Sequence, residues 1–381
     1  MRLKQFSVKG YKNFRQEIVL EDMGTICAIH GENNVGKSNL LEAMQLFFQL
    51  CGKLLTTAPG VAIRLSAKEL APLGFKTSEI FTLGLKNPIA MKAILMSKQE
   101  EFAQRAIQQL KTSEIHISIE LKTVQNDNLE CELTTLKSSD GTDFIDAHIN
   151  SGLLERVFTS YKENPFALVG VDRRISENEI ETVRNIVPQT LLLKLYDMRD
   201  SLDDSVYKSE LFVRTLQRFN DVLGEGEFVA IFNRHTNRAN LAFQPKKSKF
   251  GRMPIEILGS GIQQIVALVA RLLVSDATFV AIEEPELNLR YTLQLRLREI
   301  FKEIAEDPFG PQQIFISSHS PAFEFGEHFY AMRFSSEGPT VEHRPIQEAS
   351  IFTQHYADAP STLESAPMGY VSSDGLVKLP E

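Results

Sequence analysis

One segment constrains this chain more than any other. Gly31-Glu32-Asn33-Asn34-Val35-Gly36-Lys37-Ser38 fits G-x-x-x-x-G-K-[ST], the loop that cradles nucleotide phosphates. Chance supplies such a match in roughly one chain per hundred of this length, so the flanks carry the assignment. Before it, Thr25-Ile26-Cys27-Ala28-Ile29-His30 is a short apolar run that reads as a buried strand. After it, Asn39 to Phe48 reads as a helix with Leu40, Met44, Phe47 and Phe48 on one side. Strand, loop and helix in this order belong to α/β architectures. The helix start offers unpaired N–H groups to an anion. Lys37 can reach the terminal phosphates and the Ser38 hydroxyl can ligate Mg²⁺.

Composition removes other classes. The 381 residues allow two or three domains, or one large core with an insertion. At 43% hydrophobic the chain is an ordinary globular protein, and no apolar run is long enough to span a bilayer. Met1 to Val8 alternates like a strand and lacks the apolar centre of a signal peptide. Three widely spaced cysteines, Cys27, Cys51 and Cys131, argue for a reducing cytoplasm and against a disulfide frame or zinc site. A net charge of −8 argues against an overall nucleic-acid coat.

Along the chain, Leu3–Val8, Glu17–Leu20 and Thr25–His30 are expected strands. Residues 52–112 are expected to mix loops and helices, including a solvated helix over Ser97–Lys111. Residues 115–148 switch to period two and predict an antiparallel meander that turns at Ser138-Ser139-Asp140-Gly141. Phe166–Val171 reads as a buried strand, and 176–222 as largely helical. Strands are expected again at Phe228–Phe232, near Asn240–Phe243 and at Met253–Ile257. A helix at Ser260–Leu273, a strand at Thr278–Ile282, a helix at Tyr291–Ala305 and a strand at Gln313–Ile316 follow. After Phe334 come one or two edge strands and a polar tail.

A phosphate loop needs carboxylates for Mg²⁺ and for the attacking water. Phe279-Val280-Ala281-Ile282-Glu283-Glu284 supplies two at the end of an apolar strand, the Walker-B pattern. The first acid suits Mg²⁺ and the second can orient and deprotonate water. Leu258-Gly259-Ser260-Gly261-Ile262-Gln263-Gln264 is a small-residue turn opening an apolar helix, with Ser260 as a good N-cap. Ile314-Phe315-Ile316-Ser317-Ser318-His319-Ser320-Pro321 places one histidine just past a buried strand, where an α/β sheet binds ligands.

Together these segments resemble the ABC-type ATPases of the RecF, SMC and OLD (overcoming-lysogenization-defect) kind. Gly31–Ser38 looks like their Walker A, and Leu258–Gln264 like their signature motif. Ile282-Glu283-Glu284-Pro285-Glu286-Leu287-Asn288-Leu289 looks like an OLD-type Walker B with D-loop, and Ile316–Pro321 like the histidine switch. The resemblance covers about the first 50 residues and 250–335. It implies an α/β P-loop ABC-type ATPase head with an inserted helical and β-rich region. The core would comprise 1–50 and 228–345, the insertion 51–227 with part of the core sheet, and the tail 346–381.

The resemblance also implies a mechanism. Heads pair head to tail, and ATP with Mg²⁺ sits on Walker A (Gly31, Glu32, Asn33, Asn34, Val35, Gly36, Lys37, Ser38 and the following Asn39) and Walker B of one subunit. Ser260 and Gly261 of the other subunit close on the γ-phosphate. Glu284 would be the general base, Glu283 with Ser38 the magnesium site, and His319 the γ-phosphate sensor. Arg290 stands where many OLD-like members carry His. No long heptad coil interrupts the chain, unlike an SMC arm. The 62 residues after His319 (381 minus 319) are too few for a further typical domain and hold no acidic cluster, so no Toprim nuclease is expected. OLD-like ATPases of that architecture commonly act with a separate effector, often in defence against phage.

Residues 228–255 hold Arg234, His235, Arg238, Lys246, Lys247, Lys249 and Arg252, with Phe232, Phe243 and Phe250 between them. The acids flanking this stretch are Glu227 and Glu256. This local basic excess reads as a surface for DNA or RNA phosphates, for an acidic partner protein, or as a solvated hairpin. Three functions follow: an ATPase controlling an effector, a RecF-like enzyme of DNA maintenance, and a scaffold that binds ATP with little turnover.

Overall fold

The computed structural model describes residues 2–54, 62–66, 69, 75, 77–82, 88–96, 114–123, 128–143, 165–170, 189–199, 201–203, 205–219, 226–235, 238–246, 251–274, 277–324, 328–344, 370–371 and 377–378. The expected helix at 97–111 and the end of the expected meander, 144–148, lie outside these residues.

Two six-stranded sheets face each other across one helix. The strands are β1 (Arg2–Lys9), β2 (Ile18–Leu20), β3 (Ile26–Gly31), β4 (Ile63–Leu65), β5 (Ile89–Met96), β6 (Glu114–Thr123), β7 (Leu129–Ser138) and β8 (Phe166–Val169). They continue with β9 (Gly226–Asn233), β10 (Arg238–Pro245), β11 (Met253–Pro254), β12 (Phe279–Glu283), β13 (Gln313–Ser318), β14 (His328–Ser335) and β15 (Gly338–Arg344). One sheet has the order β2-β1-β5-β6-β7-β4 and is antiparallel throughout. The other runs β15-β14-β3-β13-β12-β8, parallel except for the closing β14–β15 hairpin.

Helix α1 (Lys37–Leu54) lies between the sheets, and its burial shows it. Leu40, Leu41, Ala43, Met44, Leu46, Phe47, Phe48, Leu50, Cys51 and Leu54 are all buried. Glu42, Gln45, Gln49 and Lys53 are half-buried along the remaining stripe, so the buried face is wider than the one read from the sequence. Phe48 stacks on Phe166 and Phe279, with centroids 5.5 and 4.9 Å away, joining α1 to the parallel sheet. Phe6 meets Phe47 edge-on at 5.7 Å, joining it to the antiparallel one. Gln313 also ties the sheets together. Its side chain accepts from the Leu3 amide at 2.7 Å and donates to the carbonyls of Leu3 and Gly24, both at 2.8 Å. A buried amide satisfied this way fixes relative position without a desolvation penalty left over.

The opposite face of the parallel sheet is covered by α2 (Gln189–Arg199), α3 (Ser205–Gln217), α4 (Ser260–Val274), α5 (Tyr291–Glu306) and the small sheet β11-β10-β9. Val280, Ile282, Ile314 and Ile316 point into that second core, while Phe279, Ala281 and Phe315 point into the first. Strands buried on both faces read as continuous apolar runs, which is why β12 and β13 show no alternation.

Two expectations need correction. Residues 52–112 contain strands, β4 and β5, where loops and helices were expected. The period-two signal is present in β5, where Ile89, Met91, Ala93 and Leu95 are buried. It is masked because intervening Ala90 and Ile94 are apolar too. The strand expected over Met253–Ile257 stops at Pro254, and Ile255–Ile257 is a 3₁₀ turn. Proline cannot donate to a continuing ladder.

Candidate functional site

The parallel register sets the site. Glu283 pairs with Ser317, Ser317 with Ile29, and Ser318 with His30. The C-terminal ends of β12, β13 and β3 therefore stop in one row, two strand spacings or about 10 Å wide. From that row emerge the phosphate loop, the Glu283-Glu284 pair and His319, at the edge where parallel α/β sheets take ligands.

Within the loop, Asn34 and Gly36 have φ of +65° and +114°. A Cβ on Gly36 would stand 2.8 Å from Asn13 Nδ2 and 2.9 Å from Phe14, so only glycine fits. A Cβ on Gly31 would stand 2.5 Å from the Met332 carbonyl on β14. Asn13 braces the loop by donating to the Val35 carbonyl at 3.1 Å and accepting from Asn39 at 2.8 Å. Lys37 is 6% exposed, and its ammonium donates to the carbonyls of Gly31 (2.7 Å) and Glu32 (2.9 Å). Burial pushes its pKa down, opposed by the charges of Glu284, Glu286 and Glu32. Glu32, Asn33, Asn34 and Ser38 are exposed, Asn39 is half-buried and Val35 is buried.

Glu283 is 8% exposed at the end of β12. Glu284 follows in the left-handed region with φ +41°, held by its amide donating to the Ser317 carbonyl at 2.8 Å. A non-glycine residue there is uncommon, and its neighbours must hold it.

Glu286 was not singled out from sequence, yet it organises the switch loop. Its side chain is 5% exposed. Its Oε1 accepts from Ser318 Oγ at 2.7 Å and from the His319 amide at 2.9 Å, and lies 3.2 Å from His319 Nδ1. Ser320 Oγ donates to Gln294 Oε1 at 2.6 Å, and Gln294 Nε2 donates to the Leu289 carbonyl at 2.8 Å. A third carboxylate in a turn after Walker B was visible in the sequence; its burial was not. His30, also missed, is buried, lies tilted against Phe329 with ring centroids 5.0 Å apart and donates to the Phe323 backbone. Burial lowers its pKa to about 3.

The signature segment lies against the stretch that follows Walker B. Ser260 begins α4 and is exposed, as is Gly259. Gly261 faces Leu289, Leu293 and the Asn288 carbonyl, all in the stretch after Walker B. Of the basic stretch, Arg234, His235 and Arg238 gather at the β9–β10 turn. Lys246 and Arg252 lie at the other end of β10, about 25 Å away by strand rise. Arg252 there donates to Gln244 at 2.9 Å. Lys247 and Lys249 lie outside the described residues.

The site suits Mg²⁺. Among the described residues no three His, Cys, Asp or Glu side chains cluster as a metal cage. Mg²⁺ rarely needs one, since it takes one or two carboxylates plus waters and phosphates. The Ser317 hydroxyl, across from Glu283, is buried without a hydrogen-bond partner. Polar groups left unsatisfied at this strand end are what a hydrated cation and a phosphate would satisfy.

Fold and site define a P-loop ATPase with an SMC-head-like fold, a class to which the comparisons give a family. The chain belongs to the AAA ATPase domain family, whose profile matches residues 1–323. It is 20% identical over 332 residues to a Helicobacter pylori (strain ATCC 700392 / 26695) protein described as an ATP/GTP phosphatase, covering 84% of this chain and 86% of that one. In fold it is similar to the SMC head domain of Thermotoga maritima, with a TM-score of 0.52 and 14% identity over 90% of this chain and 99% of that one. It is likewise similar to an Smc head bound to the C-terminal winged-helix domain of ScpA, with a TM-score of 0.58 and 14% identity over 91% and 98%. A Pyrococcus furiosus Smc head with an extended coiled coil, bound to the C-terminal domain of ScpA, matches at 0.56 and 12% over 93% and 99%. Among the described residues, no helix is long and apolar enough to cross a membrane.

Proposed function

We propose that this ATPase works as a pair of heads that ATP clamps together. The observation that carries the reading is the placement of Ser260 and Gly261. Gly261 packs beside Leu289 and Leu293, while Gly259 and Ser260 are exposed and turn the α4 N-terminus to solvent. An anion-binding helix start so placed suits the γ-phosphate of a nucleotide held by a second copy. Lys37 and the loop amides hold the β- and γ-phosphates. Glu284 orients the attacking water and takes its proton. His319 senses the γ-phosphate. Ser38 and Glu283 would hold Mg²⁺, which supplies charge neutralisation on the phosphates when bound.

The Walker-B form Glu283-Glu284-Pro285-Glu286 supports an OLD-like ATPase, and by analogy with that group the chain acts on a separate nuclease or toxin in antiphage defence. Glu284→Gln tests the ATPase part. It should cut turnover on the order of 100-fold or more, retain ATP, and give a dimer by light scattering only with ATP. A variant that stays monomeric with ATP bound, or keeps wild-type turnover, sinks the clamp. The defence part predicts that the chain with its neighbouring genes lowers phage plaquing and that Lys37→Ala abolishes this. Equal plaquing with and without the genes sinks it.

A DNA- or RNA-contacting, RecF-like reading draws support from Arg234, His235 and Arg238 at one turn. Unchanged nucleic-acid affinity in Arg234→Glu/Arg238→Glu would remove it.

A further inference from the structure

Two hydrogen bonds and a histidine ring nitrogen converge on a single buried oxygen. Glu286 Oε1 accepts from the Ser318 hydroxyl at 2.7 Å and the His319 amide at 2.9 Å, and His319 Nδ1 lies 3.2 Å from it. The same carboxylate's Oε2 is buried without a hydrogen-bond partner. Its carboxylate is 5% exposed, whereas the His319 side chain is 48% exposed. The imidazole thus sets Nδ1 against the buried carboxylate while about half of its side chain stays open.

We propose that Glu286 is the positioning residue of His319, fixing the imidazole with its hydrogen on Nδ1 and Nε2 turned to the open side of the site.

A carboxylate has only acceptor sites for this purpose, so the nitrogen facing it must carry the hydrogen. In a neutral imidazole that leaves Nε2 as the acceptor, and in an imidazolium Nε2 becomes a second donor. Which nitrogen carries the hydrogen is set by the partner of the other, as in metal-site and triad histidines. The surrounding bonds make the carboxylate a fixed point. Ser318 Oγ, while donating to Glu286, accepts from the Ser320 amide at 3.0 Å. Ser320 is in turn linked to Gln294 on α5. The carboxylate that faces the ring is therefore tied to the loop that carries His319 and, through Ser320, to α5. The Glu286 charge also acts on Lys37, so it lies within electrostatic reach of the phosphate loop.

The tautomer stands on the contacts alone; its consequence for turnover rests on the ATPase reading above. The test is ¹⁵N-labelled full-length protein and the long-range histidine ¹H–¹⁵N spectrum, with His319 assigned from His319→Ala. Wild type should show neutral His319 protonated at Nδ1. Glu286→Ala should shift it towards the Nε2-protonated form, and Glu286→Gln should retain part of the wild-type pattern. A wild-type ring protonated at Nε2, or one that Glu286→Ala leaves unchanged, overturns the proposal.

Kinetics give a second readout. Glu286→Gln should lower kcat at least tenfold while KM for ATP stays within about threefold. In a His319→Ala background the same substitution should change kcat less than twofold. An equally large loss in that background means that Glu286 does not act through His319. Failure of the ATPase reading has another signature: no wild-type hydrolysis, with ATP affinity indifferent to Lys37→Ala. The tautomer measurement remains decisive in that case.

Discussion

The Lys37 ammonium donates to the Gly31 carbonyl at 2.7 Å and, at 2.9 Å, to that of Glu32, so the loop that presents the lysine also aims it. Two of its three N–H donors are spent on backbone, and the third remains for a phosphate oxygen. Lys37→Ala removes a buried cation whose charge interacts with those of Glu284, Glu286 and Glu32. ATP affinity measured by titration calorimetry should fall on the order of 100-fold, matching the usual loss on removing one such electrostatic partner. Undiminished affinity would contradict the phosphate-loop assignment.

Gly36→Ala tests the loop's geometry rather than its charge. The residue would have to hold φ +114° and place its Cβ 2.8 Å from Asn13 Nδ2. Left-handed strain costs about 1–2 kcal/mol, before any displacement of Asn13 from the Val35 carbonyl. The variant should melt several degrees lower and lose nucleotide binding. By contrast Gly52→Ala, with open space around it, should leave both unchanged.

Much of this was legible in the sequence, and the limits have physical causes. The phosphate loop and β12 were readable because glycine spacing and fully apolar runs are local signals. The row formed by Glu283, Ser317 and His30 is a register between strands far apart in the chain, which no local pattern encodes. β5 was missed because apolar residues on both faces hide a period of two. Glu286 looked like one more charge in a turn, since burial of a carboxylate depends on what packs over it. The basic stretch looked continuous along the chain, but a hairpin sends its two ends apart.

Phe48 joins the P-loop helix to the sheet that carries Walker B, through Phe166 at 5.5 Å and Phe279 at 4.9 Å. Phe48→Ala should destabilise the protein by roughly 3–5 kcal/mol, the usual cost of emptying a core aromatic site. Phe48→Leu fills most of that volume and should cost less. Denaturant unfolding followed by circular dichroism measures both. A cost below about 1 kcal/mol for the alanine variant would mean that α1 is not gripped between the sheets.

His30 gives the fold a pH dependence of known sign. Its folded pKa, held near 3 by burial, lies below the value of about 6.5 in an unfolded chain. Between these values the unfolded state binds more protons, so stability rises with pH and is lost as pH falls below about 6.5. His30→Phe keeps an aromatic ring against Phe329 and removes the titrating group. Carboxylates contribute acid sensitivity to both proteins, so the difference between them isolates His30. The melting temperature of wild type should fall further than that of His30→Phe between pH 7 and pH 5. Parallel pH profiles would show that the imidazole is not held neutral behind the phosphate loop.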